Sequence, residues 1–399
     1  MAAEGEKFMA TVKLTPGGRH RVLHGHLWVY RTEIGDISGS FDPGDVVEVV
    51  DHRGRFVGRG YINLSSQIAV RLLTRDPREE IGREFFRRRL AAALEYRRRV
   101  VRATNALRLV FGEADFLPGL VVDRFGPYLS LQTLTLGMER WKEVIADLLE
   151  ELLEPAGIYE RNDASVRELE GLPLVKGFLK GSFDPLVEIE ENGLRFLVDL
   201  AGGQKTGYFL DQRENRQALA GLARGARVLD CFCHTGAFSV YAARFGAREV
   251  LGIDVDGGAL ALAQRNALQN GYGSLCQFRE GNAFDELRAL EKAGERFDLI
   301  ILDPPAFTRS KEALEGALRG YKEINLRAMK ILPPGGFLIT CSCSYHVSEE
   351  LFCRMLLDAA RDVGRQLRLV EARRQAKDHP MLLTVPETYY LKCFVLQVW

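Results

Sequence analysis

The residues best suited to covalent chemistry are two cysteines in one short run, Cys341 and Cys343, separated by a single serine. The apolar segment from Leu338 leads into the run and predicts a strand that delivers both thiols into a loop. Alternation of side chains would place the two thiols on one side if the chain is extended there. A thiol acts as a nucleophile in its ionised form, so this role needs surroundings that favour the thiolate. The run therefore predicts a nucleophilic cysteine at the end of a strand.

A thiol nucleophile suits the methylation of carbon 5 of a pyrimidine, which is not nucleophilic enough to take a methyl group directly. Addition of the thiolate to carbon 6 gives an enamine whose carbon 5 can attack the methyl group of a sulfonium donor. Loss of the carbon-5 proton then expels the thiol. A carboxyl group near ring nitrogen 3 would stabilise the charged intermediate, and Asp303 is the candidate. Pro304 and Pro305 follow it and make the turn rigid, because proline fixes φ and restricts the residue before it.

Other interpretations of the cysteines stay open. Cys341 or Cys343 can be a small buried side chain in a strand. The two cysteines can also share a structural metal ion with Cys231, Cys233 and His234. The Cys-x-x-Cys spacing that is typical of zinc sites is absent from both runs, however. We therefore expect no bound metal.

Four predicted strands end in polar or glycine-bearing turns, as expected where a parallel α/β sheet binds a ligand. In the first turn, Thr235 and Gly236 would bring backbone N–H groups and the positive end of a helix toward a carboxylate. The second strand ends at Asp254, whose carboxylate can accept hydrogen bonds from both hydroxyls of a ribose. Asn282 follows the third strand, where it could meet the edge of an adenine, and Asp303 ends the fourth.

The order and spacing of these four turns resemble class I S-adenosylmethionine-dependent methyltransferases. Asn282 is a departure, because this fold often has aspartate there and asparagine brings no charge. The first turn lacks the Gly-x-Gly-x-x-Gly pattern, so a dinucleotide site is weakly supported. The segment from Gly203 to Arg213 lacks the spacing of a phosphate-binding loop. We interpret it as a cover for the cofactor, with a domain linker as the alternative.

The elements that must position these groups change character along the chain. Short alternating segments before residue 75 predict a small β barrel or sandwich, and residues 78–104 predict one amphipathic helix. From about residue 200, strand-like runs alternate with helical runs, which predicts βαβ units and a parallel sheet. We expect an α/β protein with three domains. These are a small β-barrel domain (1–75), a small central α/β domain (76–192) and a Rossmann-like methyltransferase domain (193–399).

The composition is that of an ordinary globular protein. The chain has 399 residues, of which 46% are hydrophobic and 27% charged. Its apolar runs are shorter than the ~20 residues needed to span a bilayer. Residues 1–7 lack the apolar core of a signal peptide, and seven cysteines without a secretion signal indicate thiols in a reducing compartment. We expect a cytoplasmic protein without a membrane partner.

Charge is unevenly distributed, although the net charge is zero. Residues 1–102 contain 19 Lys and Arg against 13 Asp and Glu, whereas the remainder contains 35 against 41. The triplets Arg87–Arg89 and Arg97–Arg99 lie in the predicted helix. A basic face of this kind can contact phosphates without reading sequence. The alternative is a solvated helix face whose arginine stems cover apolar neighbours.

Motifs through nearly the whole chain are similar to those of one family. They are Thr206–Arg213 (Thr-Gly-Tyr-Phe-Leu-Asp-Gln-Arg), Asp303–Phe307 (Asp-Pro-Pro-Ala-Phe), Ser342–Ser344, Asp378–Pro380 and Tyr390–Lys392. This set resembles the ribosomal RNA large subunit methyltransferase I family, the bacterial 23S ribosomal RNA cytosine-5 methyltransferases. The segment from Lys13 to Tyr30 resembles the start of that family's PUA domain, which implies that the first domain (1–75) is an RNA-binding barrel. The segment from Gly112 to Gly126 resembles its small central domain.

The resemblance implies an activity and partners. The activity is transfer of a methyl group from S-adenosyl-L-methionine to carbon 5 of a cytosine in 23S ribosomal RNA, and the required thiol falls on Cys343. Ala306 stands where other RNA cytosine-5 methyltransferases carry a second cysteine, so the group that removes the carbon-5 proton is not identified. The implied partner is 23S ribosomal RNA, and a homodimer is allowed. The target base must leave its stack to reach the thiol, which favours a loop or partly unfolded RNA.

The predicted site residues form three groups. The catalytic residues are Cys343 and Asp303. The cofactor-binding residues are Lys205, Thr206, Phe209, Asp211, Arg213, Asp230, Phe232, Thr235, Gly236, Ala237, Asp254, Val255, Asn282, Ala283 and Pro304. The substrate-binding residues are Pro305, Phe307, Arg87, Arg88, Arg97 and Arg98.

Two other functions stay open. Asp303–Phe307 is close to the Asp-Pro-Pro-aromatic turn used for direct methylation of an exocyclic amine of adenine or guanine, which needs no thiol. The other function is a non-catalytic RNA-binding or assembly factor with a vestigial transferase domain, since a fold alone does not prove activity. Identification of the modified nucleoside would separate the first from cytosine-5 methylation, and binding of S-adenosylmethionine would argue against the second.

Overall fold

The computed structural model describes residues 9–16, 21–308 and 312–399. Residues 1–7, which lack the apolar core of a signal peptide, lie outside the described residues. The chain divides into two units. The first unit contains Met1–Ile189, Val198–Tyr208 and Lys377–Thr388, and the second contains Glu190–Leu197, Phe209–Ala376 and Tyr389–Trp399. The three-domain division at residues 75 and 192 stays a prediction.

In the first unit, the alternating N-terminal segments form a six-stranded sheet. Its strands are β1 (Thr11–Leu14), β2 (Trp28–Tyr30), β3 (Ile34–Ser38), β4 (Val46–Val50), β5 (Phe56–Ile62) and β6 (Ile68–Thr74). Their order is β2-β6-β5-β4-β1-β3. Among the described strand pairs of this sheet, β1 and β4 are parallel and the others are antiparallel. Val12, Val47 and Val70 are fully buried in its core. Their spacing reflects the inward half of each alternating strand.

Helices and a second sheet make up most of the rest of the first unit. The helices are α1 (Arg83–Val100), α2 (Leu136–Arg140) and α3 (Lys142–Leu153). The strands are β7 (Ala106–Phe111), β8 (Leu120–Phe125), β9 (Tyr128–Thr133), β10 (Gly157–Asn162) and β11 (Val175–Lys180), in the order β11-β10-β9-β8-β7. Phe86 and Leu90 of α1 share one apolar core with Ile145 and Leu149 of α3. The predicted amphipathic helix is therefore present, several residues shorter than expected at each end.

The segment Lys377–Thr388 also belongs to the first unit. Asp378 is fully buried, and its carbonyl oxygen accepts a hydrogen bond from Arg97 Nη2 at 2.8 Å. Near the other end of the segment, Glu387 accepts hydrogen bonds from Arg21 Nη2 at 2.7 and 2.8 Å. The Asp-His-Pro motif singled out in the sequence thus has a structural role within this unit.

Two strands, β12 (Leu186–Glu191) and β13 (Leu194–Asp199), form a two-stranded sheet, and the division between the units falls within them. In the second unit the strands are β14 (Arg227–Cys231), β15 (Glu249–Asp254), β16 (Cys276–Glu280), β17 (Leu299–Leu302), β18 (Gly336–Ser342), β19 (Leu367–Arg374) and β20 (Lys392–Val398). The helices are α4 (Arg213–Arg216), α5 (Ala237–Arg244), α6 (Gly257–Gln269), α7 (Ala283–Lys292), α8 (Leu314–Ile331) and α9 (Glu349–Asp362).

The seven strands of the second unit form one sheet in the order β16-β15-β14-β17-β18-β20-β19. The first five strands in this order are parallel, and β20 runs antiparallel to both of its neighbours. All four residues of β17, Leu299–Leu302, are fully buried, as expected for a parallel strand covered on both faces. The strand order changes direction between β14 and β17, and in open α/β sheets ligands bind beside the carboxyl ends at such a point.

The expected α/β architecture with a parallel sheet is confirmed by this topology. Within the described part of the chain, no helix is long and apolar enough to cross a membrane.

Candidate active site

The predicted nucleophile lies at the carboxyl end of β18. Cys343 comes directly after the last residue of that strand and is half-buried. Its thiol donates to the carbonyl oxygen of Pro304, 3.8 Å away. Pro304 follows Asp303 at the end of β17, which is the parallel neighbour of β18. The thiol and the carboxyl group that the sequence singled out therefore end adjacent strands.

Buried groups hold the loop that carries Cys343. The hydroxyl groups of Tyr321 and Ser344 are hydrogen-bonded at 3.0 Å. The Lys392 ammonium donates to the carbonyl oxygens of Ser344 at 2.7 Å and Tyr390 at 2.8 Å. Burial raises the pKa of Tyr321 to about 12, so its hydroxyl stays a neutral hydrogen-bonding group near pH 7. The residue after the nucleophile is thus fixed through both its side chain and its backbone.

Asp303 is oriented by a buried amide side chain. Its Oδ1 accepts a hydrogen bond from Gln212 Nε2 at 2.8 Å. The Gln212 side-chain oxygen accepts in turn from Asn215 Nδ2 at 2.6 Å. Both amide residues are buried. Gln212 was part of a recognised motif but not of the predicted site, since nothing in its local sequence shows that it meets a residue 91 positions later.

Cys341 differs from Cys343 in its surroundings. It is fully buried inside β18 and pairs with Cys393 of β20. The hydrogen bond to Cys393 and burial raise the pKa of the Cys341 thiol well above its usual value. This supports the interpretation of Cys341 as a small buried side chain. Among the described residues, no group of three His, Cys, Asp or Glu side chains could hold a metal ion.

Asp230, at the carboxyl end of β14, has no exposed surface. Its Oδ2 accepts a hydrogen bond from the Ser239 hydroxyl at 2.7 Å, whereas its Oδ1 has no hydrogen-bond partner within the described residues. Burial raises the pKa of Asp230 to about 7, and the negative charges of Asp303 and Asp254 act in the same direction. A cation bound beside these strand ends would stabilise the carboxylate.

The turn after β14 has an unusual backbone. Phe232 and His234 adopt left-handed conformations with φ of 64° and 49°, which cost side-chain-bearing residues of order 1 kcal/mol each. The backbone N–H of His234 donates to Asp254 Oδ2 at 2.8 Å, which ties this turn to the end of β15. Gly236, with φ of 74°, precedes the first residue of α5, Ala237. Strained turns held in this way are typical of binding sites.

The ends of β15 and β16 present a rim of different groups. Asp254 is half-buried, and Val255 beside it is 65% exposed, which is unusual for a large apolar side chain. Asn282 is exposed, and its side-chain oxygen accepts from the backbone N–H of Phe284 at 2.9 Å. Asn282 therefore caps α7, which begins at Ala283. The contact of Asn282 with the edge of an adenine stays a prediction.

These groups fit S-adenosylmethionine. Asp230 offers a buried carboxylate oxygen, and Thr235 offers a buried hydroxyl. Within the described residues, neither of these oxygens has a hydrogen-bond partner. Asp254 suits the ribose hydroxyls, and the exposed Val255 suits an adenine face. Each of these assignments is a prediction that the arrangement supports.

The segment before the sheet is divided between the units. In the first unit, Lys205 is exposed and Thr206 is buried, with its hydroxyl donating to Asp123 Oδ2 at 2.6 Å. In the second unit, the rings of Phe209 and His234 meet edge to face at 5.0 Å.

Two further cofactor candidates in this segment contact their own unit. Asp211 is buried, and its Oδ2 accepts from the Tyr390 hydroxyl at 2.6 Å. Arg213 is buried and lies 3.5 Å from a Glu214 carboxylate oxygen. The cofactor-binding roles of Lys205, Thr206, Asp211 and Arg213 stay predictions.

In the Asp-Pro-Pro turn, Pro304 is predicted to bind the cofactor and Pro305 and Phe307 the substrate, and the three residues have different environments. Pro304 is buried, whereas Pro305 is exposed. Phe307 is half-buried and packs on the ring of Tyr321, with centroids 4.6 Å apart. Phe232 lies farther from Phe307, at 6.4 Å between centroids.

The arginines of α1 do not all face solvent. Arg87, Arg88 and Arg98 are exposed. Arg97 is only 1% exposed, and its guanidinium forms an ion pair with Asp115 and donates to the Asp378 carbonyl. The prediction that Arg97 binds substrate is therefore wrong for this structure, because its donors are held inside the first unit. The triplet pattern could not show this, since a helix turns each of three consecutive residues by about 100°.

Comparison with known proteins gives consistent matches. The PUA-like domain profile matches residues 12–75, and the S-adenosylmethionine-dependent methyltransferase profile matches residues 175–391. Ribosomal RNA large subunit methyltransferase I of Shewanella amazonensis is 42% identical over 393 residues, which cover 97% of this chain and 99% of the relative. The protein of the same name from Salmonella arizonae is 41% identical over 389 residues, which cover 96% of each chain.

A solved structure shows the same fold. SMU.776 complexed with SAH superposes with a TM-score of 0.84 at 21% identity, covering 98% of this chain and 100% of that one. The expected combination of a PUA-like domain with an S-adenosylmethionine-dependent methyltransferase domain is confirmed. Because one profile matches more than half of the chain and the relatives match it nearly end to end, the chain belongs to the ribosomal RNA large subunit methyltransferase I family of S-adenosylmethionine-dependent methyltransferases.

Proposed function

We propose that this enzyme methylates carbon 5 of a cytosine in the 23S RNA of the large ribosomal subunit, through a covalent bond between Cys343 and carbon 6. The observation that carries the proposal is the position of the Cys343 thiol, half-buried and 3.8 Å from the carbonyl oxygen of the residue after Asp303. The RNA substrate rests on the names of the relatives and on the PUA-like domain.

Cys343 is the nucleophile. Its thiolate adds to carbon 6, and the electron pair of the ring double bond moves so that carbon 5 becomes nucleophilic. Asp303 lies at the neighbouring strand end, where its carboxyl group can bind the nitrogen 3 and amino edge of the ring. Gln212 donates a hydrogen bond to Oδ1 of this carboxyl group. This bond fixes the orientation of the whole group, including its other oxygen, Oδ2. S-adenosylmethionine, when bound, supplies the methyl group from its sulfonium.

Release of the product reverses the first step. After methylation, carbon 5 carries both the methyl group and its original hydrogen. Loss of that hydrogen as a proton restores the double bond, and the carbon–sulfur bond breaks with its electron pair returning to Cys343. The Ala306 side chain cannot accept this proton. The acceptor we propose is water or a group of the bound RNA.

The test is a pair of single substitutions assayed with 23S RNA and tritiated S-adenosylmethionine. Cys343→Ala removes the nucleophile, so we expect methyl transfer to fall by roughly a thousandfold or more. Cys341→Ala is the matched control, because it deletes a buried thiol two residues away and should retain transfer. RNA containing 5-fluorocytosine at the target, which has no carbon-5 proton to lose, should trap the wild type and the control as covalent adducts.

Nucleoside mass spectrometry of the product decides the base. 5-Methylcytidine is expected. Methylation of an exocyclic amine, or full activity of Cys343→Ala, would contradict the proposed chemistry and favour direct transfer at the Asp-Pro-Pro turn. Absence of any S-adenosylmethionine binding in calorimetry would instead favour a non-catalytic RNA-binding role.

A further inference from the structure

A buried lysine lies beside the loop of the nucleophile. Lys392 is the first residue of β20 and is 2% exposed. Its Cα pairs with that of Ser342, the residue before Cys343, across β18 and β20. The ammonium donates to the carbonyl oxygens of Ser344 and Tyr390. In the described part of the chain, no carboxylate oxygen lies within 4 Å of it.

Among the described residues, this arrangement leaves a buried ammonium that forms no ion pair with a carboxylate. An ammonium has three donors, and here two of them are taken by uncharged carbonyl groups. Burying a charge without a partner of opposite sign is costly, and such residues are candidates for functional roles. Burial lowers the pKa of Lys392 to about 8, while the charges of Cys343 and Glu349 act in the opposite direction.

We propose that Lys392 acts through Cys343 as a positioning residue, whose ammonium stabilises the Cys343 thiolate and holds the loop that carries it. This rests on the proposed covalent role of Cys343. The thiol proton passes to solvent, and the sulfur keeps the electron pair that then attacks carbon 6. In the adduct the sulfur is a neutral thioether, so it no longer carries a negative charge that stabilises the ammonium. The same ammonium therefore favours both formation of the thiolate and its departure at the end of the reaction.

Among the groups around Lys392, the negative charge of Glu349 also raises the pKa of the lysine, but by less than that of an ionised Cys343. Burial raises the pKa of Tyr321 from α8 and of Tyr389 next to β20, so both stay neutral near pH 7. Glu349 of α9 accepts a hydrogen bond from the Tyr389 hydroxyl at 2.8 Å. Arg374 of β19 lies over the Tyr389 ring at 5.1 Å and is itself positive. Cys343 is thus the group whose negative charge acts most strongly on the ammonium.

The test measures the thiol directly, in the full chain without RNA or cofactor. Alkylation by iodoacetamide is followed against pH, and peptides are resolved by mass spectrometry so that each cysteine is read separately. In the wild type, Cys343 should react with a lower midpoint pH than the exposed Cys353, which serves as an internal reference. Lys392→Met should lower the alkylation rate of Cys343 at pH 7 about tenfold and leave Cys353 unchanged.

Lys392→Arg is the matched control, because it keeps the charge, and we expect it to recover most of the Cys343 reactivity. Equal midpoints for Cys343 and Cys353 in the wild type would overturn the proposal even if Lys392→Met does not fold. An unchanged Cys343 midpoint in a folded Lys392→Met protein would overturn it as well.

Methyl transfer separates this proposal from the one on which it rests. Lys392→Met should lower kcat with little change in the affinity for S-adenosylmethionine or RNA. Full activity of Cys343→Ala would remove the covalent mechanism while leaving the alkylation result intact. An unshifted alkylation profile together with an inactive Cys343→Ala would remove only the role of Lys392.

Discussion

The carboxyl group of Asp230 lies at the end of β14 without exposed surface, and burial raises its pKa to about 7. The native state therefore favours the protonated form more than the unfolded state does. Stability from this group is fully present below pH 3.8, the ordinary value, and is lost as the pH rises through 7. At neutral pH the protein thus keeps a destabilising carboxyl group at a position suited to a cofactor cation.

We expect Asp230→Asn to stabilise the cofactor-free protein, and more so at higher pH. Between pH 5.5 and pH 7.5 its gain in free energy of unfolding over the wild type should grow by about 2 kcal/mol, since one pKa unit corresponds to ~1.4 kcal/mol. Urea denaturation at the two pH values measures this gain.

The same substitution should weaken S-adenosylmethionine binding, measured by calorimetry, because it removes the negative charge. Ser239→Ala is the control, since it deletes the hydroxyl that bonds Asp230 Oδ2 but keeps the carboxyl group. A gain for Asp230→Asn that is the same at both pH values would show that Asp230 titrates normally.

At the level of single residues, the sequence predicted that Asp230, Asp254 and Asp303 lie at or next to strand ends, whereas their roles toward cofactor and substrate stay predictions. Asp230, Asp254 and Asp303 each follow an apolar run, so the residue types and their order were sufficient. Gln212 and Lys392 were not predicted, because their roles arise from contacts across 91 and 48 positions. The only local signal was the lysine itself, which begins a strand whose other residues are nearly all apolar.

Among the elements, helices and strands with clear periodicity were predicted within a few residues. The strand β16 was predicted only through its end before Asn282, and the helix α7 was not predicted. The β16 sequence, Cys-Gln-Phe-Arg-Glu, alternates weakly because this edge strand pairs only with β15 among the described strands. Its existence depends on the neighbour that supplies its hydrogen bonds, which a local pattern does not contain.

Two glycines with a left-handed backbone, one before β14 and one between β14 and α5, allow a comparison. Gly236 has a φ of 74°, and a Cβ there would lie 2.9 Å from the Cβ of Ala263. Gly225 has a φ of 71°, but a Cβ there would meet nothing within 4 Å. Gly225→Ala should therefore cost only the backbone strain, about 1 kcal/mol. Gly236→Ala adds a packing conflict, and we expect a total of roughly 2–4 kcal/mol.

Urea denaturation of both glycine variants checks this expectation. Gly236→Ala should also bind S-adenosylmethionine more weakly, because the turn and the start of α5 must shift, whereas Gly225→Ala should bind it normally. Equal losses of stability for the two substitutions would mean that α5 and α6 can move apart at little cost in free energy. The close approach of Gly236 to Ala263 would then not fix the turn.

At the level of the whole molecule, the alternation of strands and helices was sufficient to predict the α/β class. The membership of Lys377–Thr388 in the first unit was not predicted. That segment lies in sequence between β19 and β20 of the seven-stranded sheet and carries no boundary signal. Its place is determined by polar contacts such as Arg97 to Asp378 and Arg21 to Glu387, whose partners are 281 and 366 positions apart.

The arginines of α1 give a prediction that separates RNA binding from folding. Arg87 and Arg98 are exposed, so removing either should eliminate at most one phosphate contact. The double substitution Arg87→Ala and Arg98→Ala should reduce the slope of log affinity for RNA against log salt by up to about 2, with stability nearly unchanged. Arg97→Ala should instead leave Asp115 as a buried charge without its partner and cost roughly 3–5 kcal/mol of stability, with the salt slope retained. Filter binding over a range of salt concentrations, alongside urea denaturation, measures both quantities. An unchanged slope in the double variant would mean that this helix face is solvated and that RNA is held elsewhere on the molecule.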